Sequence, residues 1–256
     1  MINMLRTLIL SFLVLAFCAT AVANDELATK VDLAYERFEL DNGLTVLVYS
    51  DHSTPTVAVS MWYGVGSKDE PEGKSGFAHL FEHLMFQGSE NREGEFFSPF
   101  TDAGATGMNG TTNQDRTNYY ATVPTGALDM ALWMESDRMS YLLGAVTQEA
   151  LDEQRGVVQN EKRQRETRPY AEMGDKIRAG VYPLDHPYRH SIIGSMDDLD
   201  AASLDDVHTW FNTYYGASNV VLVLAGDISI KDAKDKVTHY FDAAPAGKPL
   251  SHPKKW

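Results

Sequence analysis

The sequence predicts an α+β fold, with a mostly antiparallel or mixed β-sheet and helices packed on one face. Two observations carry this. The early apolar runs alternate with period two and are joined by short turns, as antiparallel neighbours are. Later, long helical patterns are interspersed with a buried strand pattern, so the helices have a sheet to cover.

In order along the chain, "ERFELDNGLTVLVYSD" reads as a hairpin around Asn42-Gly43, the strongest short-range hairpin signal. "TVAVSMWYG" is a third strand, and residues 64–75 form a polar, Gly-rich loop. A helix over 76–87 follows, with Ser75 as its N-cap, apolar positions at Phe77, Leu80, Phe81, Leu84 and Met85, and a stop at Gly88. A second Gly-rich stretch, "TDAGATGMNGTTNQ", precedes a strand in "RTNYYATVP". Three helices are expected over 125–142, 147–167 and 170–180. "SLDDVHTWFNTYYG" is helical, "SNVVLVLAGDI" a buried strand and "SIKDAKDKVTHYFDA" a closing helix. The domain so defined runs over 36–245, after a lead-in over 24–35. The Pro- and Lys-rich tail over 246–256 reads as the start of a linker or a truncated end.

Residues 1–23 read as a secretory signal peptide: Arg6, the apolar run "TLILSFLVLAF", then Ala21-Val22-Ala23. Export is therefore expected, to the periplasm or outside the cell, with no membrane attachment once the signal is removed. The single cysteine, Cys18, leaves with the signal. That excludes disulfides, thiol nucleophiles and thiolate metal ligands. Arg6 leaves too, so 21 basic residues face 36 acidic ones, a formal charge of −15. Such a chain repels nucleic acid, which is excluded as a partner.

The chemistry sits in "GFAHLFEHLMF". Residues four apart on a helix share a face, so His79 and His83 can point two imidazoles at one metal ion. Glu82, three after His79, lies on the same side and can act on a water without ligating the ion. This is the H-x-x-E-H spacing of inverted zinc peptidases. Catalytic zinc takes three protein ligands, and the third is sought in "DEQRGVVQNEKRQRE". There Leu151, Val157 and Val158 form an inward stripe, Glu161 lies one turn beyond the valines, and Gln154 shares its face.

These residues carry a resemblance. "HLFEH", followed 78 residues after His83 by Glu161 of "RGVVQNEKRQ", resembles the M16 metallopeptidase family of pitrilysin, insulinase and mitochondrial processing peptidase. "FELDNGLTVLV", "NGTTNQDRTNYYATVP", "HPYRHSIIG" and "YYGASNVVLVLAGDI" extend it over roughly residues 36–245. The resemblance implies one Zn2+ per chain, held by His79, His83 and Glu161, with Glu82 as general base. It also implies a strand through Asn109, Thr112, Asp115 and Thr117, beside an exposed sheet edge that receives peptide substrate. Asn109 is then a candidate substrate contact; as a residue among glycines it also reads as a turn position.

Two departures from the family pattern concern the site. Gln154 stands where several members have an acid, and can support a histidine ring only by hydrogen bonding. Gly110 replaces a small Ala, without expected consequence. The remaining histidines are expected in loops or on the surface. A lyase class that also uses H-x-x-E-H needs a cysteine, which the mature chain lacks. The reading is a zinc endopeptidase half acting on peptides or unfolded proteins and completed by a second homologous half. The alternative is a zinc-binding assembly subunit or fragment, inactive without that half.

Overall fold

In the computed structural model, residues 33–250 are described. The signal segment over 1–23, most of the lead-in over 24–35, and the last six residues, with His252, lie outside them. Among the described residues, one sheet of six strands has the order β1-β2-β6-β3-β5-β4. β1 (Glu36–Glu39) and β2 (Thr45–Ser50) form the expected hairpin. Gly43 takes the φ of +87° that the turn requires, while the Asn42 amide donates to the carbonyls of Phe241 (2.7 Å) and Ala244 (3.0 Å).

β6 (Val220–Gly226) lies between β2 and β3 (Thr56–Tyr63), parallel to the first and antiparallel to the second, so the sheet is mixed. Along β2, β3 and β6, buried residues alternate with half-exposed ones. The buried set, including Val46, Val59, Met61 and Leu222, meets the helices on one face.

The helices among the described residues are α1 (Phe77–Leu84), α2 (Ser98–Asp102), α3 (Leu128–Tyr141), α4 (Gln148–Glu166), α5 (Met173–Val181), α6 (Met196–Asp200), α7 (Leu204–Tyr214) and α8 (Ile230–Phe241). Of these, α5 has no buried residue. Several begin at the caps expected of Ser and Thr: Thr147, Ser195, Ser203 and Ser229 each accept a backbone N–H from the first turn.

Three expectations are corrected. Ser75 does not cap α1: its N–H and hydroxyl both donate to Asp198, so its oxygen is committed elsewhere. The cap position is Gly76, at φ +89°, and the helix ends at Leu84, short of Gly88. Second, the strand expected through Asn109, Thr112, Asp115 and Thr117 is two strands: β4 (Thr106–Thr112) pairs antiparallel with β5 (Thr117–Pro124), with Asp115 in the turn between them and a register shift between Thr106 and Asn109. Third, Val157 faces outward, 43% exposed. The inward stripe of α4 is Leu151, Gln154 and Val158, spaced three and four as one helix face demands.

Two glycines cross where the loop before α6 passes the start of α1. A Cβ on Gly194 (φ +73°) would stand 2.1 Å from the Ser75 carbonyl, and one on Gly76 2.6 Å from the Ile193 carbonyl. Backbone cannot yield as a side-chain tip can. Gly194→Ala is expected to cost at least about 2 kcal/mol, combining left-handed strain with the clash, read as a lowered urea midpoint.

Candidate active site

α1 is buried on most of its surface, and its face towards α4 carries His79, Glu82 and His83. The spacing of four residues, just over one helical turn, brings the imidazoles together, with ring centroids 4.8 Å apart and planes at 84°. Glu161 arrives from α4, three residues past buried Val158. Its Oε2 lies 3.6 Å from His79 Nε2 and 3.7 Å from His83 Nε2. The three donor atoms lie within 4.8 Å of one another, the one such group of His, Cys, Asp or Glu among the described residues.

The donor set fits a tetrahedral zinc ion. Donors held at about 2.0–2.1 Å from such an ion stand about 3.3–3.4 Å apart, so the His–Glu separations of 3.6 and 3.7 Å need close by only a few tenths of an ångström, and the wider His–His pair, within 4.8 Å, by a rotation of the rings. Protonation fits as well. Burial, then the neighbouring His83, push the His79 pKa down to about 4, and burial lowers that of His83. Both rings are therefore neutral near pH 7, with a lone pair free to bind metal.

Glu82 is buried beside this group and does not join it. Its Oε2 accepts a hydrogen bond from the Thr112 hydroxyl at 2.6 Å. Burial pushes its carboxyl up to about 7, against the pull of that bond. A carboxyl poised there can both accept and return a proton near neutrality.

Gln154 is buried about two helical turns before Glu161, and its side chain favours the protonated form of His83, against the effect of burial. Asn109 lies on β4 rather than in a turn, and its Oδ1 accepts the Gly110 N–H at 2.9 Å. Since β4 ends the sheet order, its outer edge is free of strand partners among the described residues. Asn109, Gly110, Thr111 and Thr112 line the same open cleft, of about 410 Å³, as His79, Glu82, His83 and Glu161.

Other cleft residues had no role assigned from the motifs. Arg165, one turn past Glu161, pairs with that carboxylate's Oε1 and leaves Oε2 facing the histidines. Ile192 and Ile193, from the loop at the glycine crossing, wall the cleft together with Phe86. A Cβ on Gly110 would stand 2.7 Å from the tip of the Phe86 ring, so an alanine there would need that side-chain tip to shift. His186 packs on Tyr182, His190 lies by Glu70, and His52, His208 and His239 are exposed.

With this geometry in view, the sequence matches the family model Insulinase (Peptidase family M16) over residues 45–190. It matches the Peptidase M16 inactive domain over 201–256. The second match includes β6, which sits inside the sheet that the first match builds.

The chain is 29% identical over 211 residues to the zinc protease PqqE of Helicobacter pylori, covering 82% of this chain and 47% of that protein. It is 25% identical over 202 residues to a probable mitochondrial-processing peptidase subunit beta of Arabidopsis thaliana, covering 79% and 38% respectively. The crystal structure of a protease from Helicobacter pylori superposes with a TM-score of 0.81 at 28% identity, over 88% of this chain and 54% of that one. The first half of the periplasmic protease PqqL from Escherichia coli gives 0.79 at 23% identity, over 87% and 49%, a likeness of fold. The chain spans about half the length, or less, of these curated relatives.

Proposed function

Given that this chain belongs to peptidase family M16, we propose that it is the catalytic half of a zinc-dependent endopeptidase acting on peptides outside the cytoplasm. The observation that carries this is the Glu82 carboxyl, held by Thr112 in the same cleft as the His79–His83–Glu161 donor set. A metal site with a structural role has no use for a buried, proton-exchanging acid beside it.

His79, His83 and Glu161 hold the ion, one per chain. When bound, zinc supplies a Lewis acid that polarises the scissile carbonyl and lowers the pKa of a water. The substrate backbone adds as a strand along the free edge of β4, a mode that reads main chain and tolerates many sequences. Asn109 contacts it there. Glu82 takes a proton from the water as its oxygen adds to the carbonyl carbon, and returns that proton to the nitrogen as the C–N bond breaks. Thr112 fixes the carboxyl for both transfers. Gln154 orients His83, and Arg165 holds Glu161 so that a single oxygen is presented.

An unstructured peptide suits strand addition, because its backbone is free to pair. The half-length of the chain relative to its kin supports a second homologous half that encloses the substrate. It also supports the reading in which the chain binds zinc but turns nothing over alone. Export is supported by the signal-like residues 1–23, and by the likeness to a protein named as periplasmic. Among the described residues no helix is long and apolar enough to cross a membrane.

The test is cleavage of unstructured fluorogenic peptides by the chain over 24–256, before and after chelation. Turnover should vanish with the metal and return with one equivalent of zinc. Turnover that survives chelation overturns the proposal. Tight zinc binding with no turnover selects the assembly subunit.

A further inference from the structure

α1 carries three of the four residues assigned to chemistry, yet it is eight residues long. Helices this short do not hold themselves in water, so their position is set by what grips their ends. At the N-terminus the grip is a carboxylate from the preceding loop. Glu70 has a side chain only 1% exposed. Its Oε2 accepts the Gly76 N–H at 3.1 Å and its Oε1 the Ala78 N–H at 2.8 Å. Ala78 directly precedes His79.

At the C-terminus the grip is a guanidinium. Arg138 is 1% exposed and donates to the Met85 carbonyl at 3.2 Å. Its own fork is fixed by Glu135 on the same helix, with bonds of 2.7–2.9 Å. Phe96 and Tyr119 sandwich it, their ring centroids 3.8 and 4.2 Å from the guanidinium carbon.

An acid thus sits at the positive end of the helix dipole and a cation at the negative end, both out of water, where such pairing is strongest. The arrangement is costly as a mere cap. Burial pushes the Glu70 carboxyl well above its usual range, against its two backbone N–H bonds, and its nearest basic group is His190 Nδ1 at 3.5 Å. A serine at the cap position would satisfy these donors with less desolvation. The one available, Ser75, is spent on Asp198. What the carboxylate adds is rigidity: two acceptors on one planar group tie residues 76 and 78 to a loop that α1 does not control.

We propose that Glu70 and Arg138 are positioning residues, a hydrogen-bonding clamp on both ends of α1 that sets His79 and His83 at metal-binding distance from Glu161. This rests on the metal reading of the site. The three donors come from two helices, so a shift of α1 along its axis opens the His–Glu separations directly.

The test uses the full chain with Glu70→Gln, which leaves one acceptor for two donors, and with Arg138→Lys, which keeps charge and loses the fork. Co2+ is titrated and followed by its visible spectrum, and Zn2+ affinity is measured by chelator competition. The metal-free proteins are compared by urea midpoint and by amide exchange at residues 76 and 78. The clamp predicts metal affinity lowered about tenfold or more, the range for groups that orient ligands, and an altered cobalt spectrum. In Glu70→Gln the two amides exchange faster, and in both variants affinity falls by more than the lowered urea midpoint accounts for. Affinity unchanged, or falling only in step with the fraction folded, overturns it. A wild-type chain that binds no cobalt overturns the metal reading beneath it. That failure is distinguishable, because amide exchange still reports whether Glu70 grips α1.

Discussion

Glu82→Gln is expected to keep the metal and to lose turnover by roughly 10²–10⁴-fold, the usual contribution of a positioned general acid–base. Gln matches Glu in shape, and its amide oxygen can still accept the Thr112 hydroxyl seen at 2.6 Å. What it cannot do is take a proton. The loss should therefore fall on kcat with KM little changed, as when an interaction made only in the transition state is removed. Zinc content should stay at one per chain, since Glu82 is not among the three clustered donors. Steady-state kinetics with metal analysis on the same preparation checks both halves. Zinc lost with the activity would make Glu82 a ligand instead of a proton carrier.

Glu161→Gln should do the opposite and cost the metal first. The neutral amide oxygen is a much weaker donor than carboxylate Oε2, which lies 3.6–3.7 Å from both histidine nitrogens. It also leaves Arg165 without its acidic partner. Zinc affinity is expected to fall by more than about a hundredfold, beyond the 10–100-fold typical of groups behind the ligands. Turnover should be recoverable in part at high zinc, because Glu82 and Thr112 remain. Chelator competition with a zinc indicator measures the first effect, and activity against added zinc the second. Affinity within a few-fold of wild type would remove Glu161 from the donor set.

Local chemistry made most of this legible. The Asn42-Gly43 hairpin, the strand at 56–63 and the long helix at 148–166 all have periods or turns that act over a few residues. His79, Glu82 and His83 share one short helix, so their meeting was readable from spacing. The place of Glu161 was readable only in outline. One of its two supporting valines, Val157, points outward, and Gln154 and Val158 mark the true face.

What the sequence concealed depends on partners distant in the chain. Glu70 caps a helix six to eight residues away, a span no local capping pattern covers. Ser75 has the right chemistry for a cap, but Asp198 claims its hydroxyl from 123 residues on. β4 is legible only through the family resemblance, because its glycines weaken the alternation by which strands are read. Arg138 sits fully buried inside an aromatic cage, where composition would place a surface charge. The Thr112–Glu82 bond joins β4 to α1, elements 30 residues apart in sequence that meet only in the folded chain.

The most direct test of the central claim is zinc-edge X-ray absorption on the chain loaded with one equivalent of zinc. The account predicts a light-atom shell at about 2.0–2.1 Å, with the outer scattering of two imidazoles and the balance in oxygen. A shell of three or more imidazoles, or one with none, would contradict it, because His79 and His83 are the two histidines at the cleft.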